Sequence, residues 1–278
     1  MNRASPLAVI FAGPSLPPAI RPSDPALEWR PPVKQGEVYQ AALTRPAIIG
    51  IIDGYFEVTP TVWHKEILWA MTQGIHVYGS ASIGALRAAE LCSFGMIGVG
   101  RIFTAYRDGI LADDDEVAVM HGPEELGYPS VTEAMVNIRA ILEQAVAEGI
   151  VEGWLASRLT EIGKALFYKE RSWEAISRLA TAGGPPPRPL ADLAAWSRRR
   201  QLDQKRADAL AMVAAIRAHL AAGVTPLIVS YRFQDTGYHR AAVWQATVRA
   251  AHPAQPDLPS LGAIGMASCP SDPGISRL

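Results

Sequence analysis

The sequence predicts an α/β fold: an N-terminal parallel-sheet βαβ core with a nucleophile-elbow-like turn, followed by a largely α-helical C-terminal half. Three observations predict it. Short unbroken apolar runs recur early, at Leu7–Ala12, Ala47–Ile52 and Ile75–Gly79. Runs of this length without alternation suit strands buried on both faces, as in a parallel sheet. The second and third runs are separated by a helical pattern, in a span the size of one βαβ unit. Beyond Ser130 the apolar spacing becomes mainly helical.

In order along the chain, the first strand stops at Gly13-Pro14-Ser15, and the proline-rich stretch from Pro14 to Pro32 reads as an extended surface loop. Gln35–Leu43 reads as a short helix. The second strand ends at Asp53-Gly54. Thr59-Pro60-Thr61 offers a helix start, and Val62, Ile67, Leu68 and Met71 stripe a helix over Thr61–Gln73 that Gly74 ends. The third strand is followed by a turn of small residues and a helix through Leu86 to Leu91. The glycines from Gly95 to Gly100 lack the Lys-Ser/Thr of a phosphate loop and read as a turn. Asp113–Glu116 reads as an acidic helix start or solvated loop, and the histidine spacing matches no ligand pattern, so no metal is expected.

Ser130-Val131-Thr132-Glu133 has the form of a capping box before a helical stripe that ends at Gly149. Further helices are expected over Trp154–Phe167 and Gln201–Leu220, a late strand over Leu227–Tyr231, and a short helix over Val243–Ala250. Gly183–Pro187 is the clearest break. We therefore expect a core over residues 1–180, a helical extension over 181–252 packing on it, and a mobile tail over 253–278.

Composition excludes several classes. Of the 278 residues 49% are hydrophobic and 19% charged, which is globular composition. A formal net charge of -1 supplies no global basic field for nucleic acid or an anionic membrane. No run of apolar residues is long enough to span a bilayer, and the start does not read as a signal peptide. Cys92 and Cys269 lie far apart, which suits a reducing cytoplasm.

The chemistry concentrates at Ser80-Ala81-Ser82-Ile83-Gly84, between a strand and a helix. In hydrolases of the α/β type a serine at such a turn is lifted clear of the sheet and sits at a helix N-terminus. The free N–H groups there favour a developing oxyanion. Ser82 holds the nucleophile position. The backbone N–H of Ile83 is one candidate oxyanion donor, and that of Gly54 or Tyr55 the other. Because sites in open parallel sheets lie beyond the carboxyl ends of the strands, Asp53, Gly54 and the helix start at His64 and Lys65 should converge on Ser82. A serine needs a base. His64 and Lys65 are the nearby candidates, and a partly buried lysine beside His64 would lose its proton more readily, so Lys65 could serve and is favoured on this geometry.

Longer blocks then align with one family. Ile51–Glu57, Val62–Leu68, Gly84–Leu91, Phe94-Gly95-Met96 with Gly98-Val99-Gly100, Asp115–Ala118, the opening Ala12–Leu16 and the later Gln204–Ala209 resemble the TfuA-like proteins over roughly residues 8–210. The resemblance implies an accessory protein for YcaO enzymes, which activate a peptide amide with ATP so that sulfur replaces its oxygen. It implies release of sulfide from a thiocarboxylated, ubiquitin-like sulfur carrier through a Ser–Lys pair, with the modified peptide as the complex's substrate and no cofactor of its own. The serine corresponds to Ser82, and the lysine to Lys65 or Lys205. His64 or Arg87 would supply a cation for the thiocarboxylate. Ser80 and Ile83 depart from the family's usual Ala-Ala-Ser-Met-Gly, and Ser80 brings a second hydroxyl. A non-catalytic docking scaffold is the first alternative. The second is a serine esterase using Asp203 or Asp235 with His219 or His239.

Overall fold

A chain whose strands are apolar on both faces must find helices for each face. The computed structural model describes residues 7–57, 59–182, 188–237, 239–243 and 245, and shows how both faces are covered. Five strands, β1 (Ala8–Phe11), β2 (Leu27–Arg30), β3 (Ile48–Ile51), β4 (His76–Ser80) and β5 (Ile97–Val99), form one parallel sheet in the order β2-β1-β3-β4-β5. Ile10 pairs with Gly50 and Gly50 with Tyr78, which fixes the register across the centre.

One face carries Val9, Phe11, Ile49, Ile51 and Val77. It is covered by α1 (Glu37–Leu43), α2 (His64–Thr72) and α3 (Ile83–Leu91) through residues such as Val38, Ile67, Met71 and Ala85. The opposite face carries Ala8, Ile10, Ile48, Ile52 and Tyr78. It is covered by α9 (Gln204–Ala222), whose Ala209, Met212, Val213 and Ile216 recur at helical spacing. Each fully buried Val, Leu, Ile or Met is worth about 1.5–3 kcal/mol against exposure, so α9 is part of what holds the sheet. In chain order, β5 and α9 are separated by α4 (Arg101–Arg107), α5 (Met135–Ala147), α6 (Gly153–Ala165), α7 (Trp173–Ala180) and α8 (Arg188–Arg200). The last four make a second core around Ile138, Leu159, Ile176 and Leu193. The α/β architecture with a mainly helical C-terminal half is thus present.

Several local expectations are corrected. The stretch from Pro14 to Pro32 is not loop throughout: β2 lies within it as an edge strand. The glycine-rich turn contains β5, in which Gly98 leaves room for the Phe103 ring. The presumed capping box does not start α5. Thr132 Oγ1 accepts the Met120 N–H instead, and the helix begins after Ala134. Leu227–Tyr231 is extended but joins no strand. It is strapped along α2, with Leu227 N–H on the Gly74 carbonyl and Tyr231 OH on the Leu68 carbonyl. The expected tail 253–278 lies outside the described residues, as does most of the expected helix Val243–Ala250.

Candidate active site

β4 and α3 cross with no room for side chains. A Cβ on Gly84 would lie 1.8 Å from the Ile51 carbonyl oxygen, and one on Gly79 would lie 2.1 Å from that of Gly84. The reversal between them is tight enough that Ala81 takes φ 64, a conformation costly for any residue but glycine. Ser82 follows at the N-terminus of α3. It is 8% exposed, and its hydroxyl meets no hydrogen-bond partner among the described residues. Ser80, the rival hydroxyl, is fully buried and committed. Its Oγ lies 2.8 Å from the Val99 carbonyl and 2.9 Å from that of Asp208, tying β4 to β5 and α9.

Ser82 lines a cavity of about 700 Å³ beyond the carboxyl ends of the strands, together with Asp53, Gly54, Ile83 and Lys205. Asp53 is buried and rigid. It accepts the N–H groups of Gly13 (2.8 Å) and Ser15 (3.0 Å) and the Ser15 hydroxyl (2.6 Å), locking the ends of β1 and β3 together. Of the two alternatives beside Ile83, the Tyr55 N–H is taken by the Val33 carbonyl, whereas the Gly54 N–H has no acceptor among the described residues. Gly54 lies against Ile83, since a Cβ there would come within 2.8 Å of Ile83 Cγ2. The Ile83 N–H is likewise without a described acceptor, because the Gly84 N–H goes to Ile52 and the Ala85 N–H to Ser82.

The two lysines part company. Lys65 sits on the surface, its Nζ 2.9 Å from the Gln234 carbonyl and over the Phe233 ring. α2 begins at the expected sheet edge, but in its first turn Lys65 reaches Phe233 and Gln234, His64 reaches Glu90 and Glu66 accepts the Gly36 and Val38 N–H groups. Lys205, in the first turn of α9, is 3% exposed and donates to the Val117 carbonyl at 2.7 Å. Burial pushes its ammonium below the usual lysine value, while Asp53 and Asp203 pull the other way. No hydrogen bond joins the Ser82 hydroxyl to either lysine. His64 and Arg87 both bind Glu90, at 2.8 and 2.7 Å, and neither lines the cavity.

The partners imagined for an esterase are engaged elsewhere. His219 pairs with Tyr78 OH at 2.8 Å, and His239 with Tyr39 OH at 2.7 Å. Asp203 caps α9 by accepting the Arg206 N–H. Two cavity residues have no counterpart in the sequence reading: His121, whose Nδ1 donates to the Gly122 carbonyl at 2.8 Å, and Tyr128, buried with φ 58. The left-handed tyrosine after Gly127 carried no motif that would mark it. The clustered carboxylates of Asp113, Asp115 and Glu116 are met by cations from the chain. Lys164 bridges all three, Arg171 pairs with Asp115 at 2.7 Å, and Arg139 forks onto Glu116.

With this geometry in view, comparison with protein families places residues 53–172 within the model of the TfuA-like protein family. Residues 53–172 are TfuA-like. Comparison with curated proteins finds no match. TfuA-like proteins are associated with YcaO thioamidation. In this chain the matched segment contributes Asp53, Gly54, Ser82 and Ile83 to the cavity, while Lys205 comes from outside it. Among the described residues no helix is long and apolar enough to cross a membrane.

Proposed function

We propose that this protein supplies sulfide to a YcaO partner by hydrolysing the thiocarboxylated C-terminus of a ubiquitin-like carrier, with Ser82 as nucleophile and Lys205 as base. The observation that carries this reading is the buried Lys205 amine, shifted toward its neutral form, on the wall of the cavity that Ser82 lines. Asp53, Gly54 and Ile83 would support the reaction. His64, Arg87 and Lys65 would act outside it.

The steps balance. Ser82 Oγ attacks the thiocarboxylate carbon, and its proton passes to Lys205 directly or through one water. The Ile83 and Gly54 N–H groups receive the oxyanion. As the tetrahedral species collapses, the carbon–sulfur bond breaks, the lysine proton goes to the sulfur, and hydrosulfide leaves. Water then cleaves the acyl-serine ester, returning a carrier carboxylate and the free hydroxyl. A general base contributes typically 10²–10⁴-fold, and the oxyanion donors a comparable factor.

The test is sulfide release from a thiocarboxylated carrier with no YcaO enzyme present. Ser82→Ala should lose at least about a hundredfold in rate while still binding the carrier. Undiminished release in that variant would overturn the hydrolytic reading and leave a docking role.

A further inference from the structure

A second cavity, of about 540 Å³, abuts the first. The two share a wall made of Pro14, Val119, Tyr128 and Lys205. The Tyr128 hydroxyl on this wall is buried without a hydrogen-bond partner of good geometry, and burial with the nearby Glu124 carboxylate keeps the phenol protonated. Lys205 therefore stands between two chambers, with an unused donor beside it.

The chambers differ in charge. The first carries three carboxylates at its rim, Asp114, Glu124 and Glu125, and its Lys169 is paired with Glu57 at 2.8 Å. The second carries Arg198 and Arg206. Arg198 is exposed and has no described partner. Arg206 approaches Asp203 only at 3.6 Å, and its Nε is buried with no acceptor. The opposing acids count for less: Asp203 is occupied in capping α9 and holding Asn137, and burial drives Glu133 toward its neutral form. An anion approaching Ser82 is repelled at one mouth and attracted at the other.

We infer that the second cavity receives the flexible C-terminal tail of the acyl donor, so that its terminal thiocarboxylate crosses the Lys205–Tyr128 wall to reach Ser82. Arg198 steers the anion inward. The Arg206 Nε–H binds a main-chain carbonyl of the tail, and the Tyr128 hydroxyl binds the last one. This assignment rests on the reading of Ser82 as the acylated residue.

Two donors separate tail seating from chemistry: thioacetate, which has no tail, and a short peptide ending in a thiocarboxylate. Ser130→Trp and Ser197→Trp each put an indole into the lining of the second cavity. Either should lower the kcat/KM ratio of peptide over thioacetate about tenfold, the loss expected when about 1.4 kcal/mol of tail contact is removed. Glu124→Trp, at the first mouth, should move that ratio less. A ratio untouched by both serine variants, or one moved more by Glu124→Trp, overturns the assignment. Binding of the same peptide with an ordinary C-terminal carboxylate to the Ser82→Ala protein reads the tail alone. Ser130→Trp should weaken it about tenfold, and an unchanged Kd would overturn the assignment whatever the fate of the hydrolytic reading.

Discussion

Lys205 Nζ, carried on α9, is 2.7 Å from the carbonyl oxygen of Val117, which lies in the segment leading toward α5. A single neutral acceptor is a poor substitute for the water an ammonium loses on burial, so the proton is held loosely. Lys205→Met should keep the fold, since the methionine fills the same volume without a buried amine, and should slow sulfide release about 10²–10⁴-fold. Lys65→Ala, which removes a surface contact to Gln234, should change the rate less than twofold. Steady-state rates on both variants decide between the two lysines.

The same amine sets a pH dependence. The rate should rise with pH through the lowered lysine pKa and level off once Lys205 is neutral. Stability should follow the same sense. The unfolded lysine keeps its proton up to about pH 10.4, whereas the folded one releases it sooner. Between those values the unfolded state binds more protons, so stability increases as pH rises. Urea unfolding of the native protein and of Lys205→Met across that window should show the slope flattened in the variant.

Asp53→Asn should act on both counts. An asparagine oxygen can still accept from the Gly13 and Ser15 N–H groups, but its amide nitrogen then donates to Ser15 Oγ, whose own buried proton loses its acceptor. Leaving a buried group unsatisfied costs about 1–3 kcal/mol, read as a lower urea midpoint. Loss of the carboxylate also removes the charge that holds the Lys205 proton, so the rising limb of the rate profile should move to lower pH.

Gly84→Ala should be among the most damaging single-methyl changes in the protein. The added carbon meets main chain, the Ile51 carbonyl, and cannot be relieved by a side-chain rotation. Overpacking of this kind costs about 1–3 kcal/mol and sometimes more. Because α3 carries Ile83 and the start of the Ser82 turn, sulfide release should fall with stability, and a thermal melt alongside the assay checks both.

The parts of the molecule legible in the sequence are those where pattern is dense. β1, β3, α2, β4 and the Ser82 turn follow from unbroken apolar runs with glycine at the right flanks. β2 and β5 escaped because each is a short edge strand embedded in proline or glycine, where turn signals outweigh propensity. The candidate nucleophile was readable because it is local. The lysine proposed as its base was not readable from geometry, since the helix that brings Lys205 to the sheet begins only after the whole second core has been laid down. Local sheet-edge reasoning pointed to Lys65, which is held by Phe233 and Gln234, just past the segment that periodicity read as a strand. Tyr128 depends on a left-handed backbone that no spacing announces.

That α9 both closes the sheet's second face and delivers the buried amine has a practical result. An excised piece covering residues 53–172 would keep the serine turn yet lack β1, β2, β3 and α9. Such a fragment would present a raw apolar flank and an unassisted hydroxyl at once. Most of the sheet would therefore be lost in one stroke, and on the proposed Ser82–Lys205 reading the serine turn transplanted alone onto another scaffold would carry no reactivity with it.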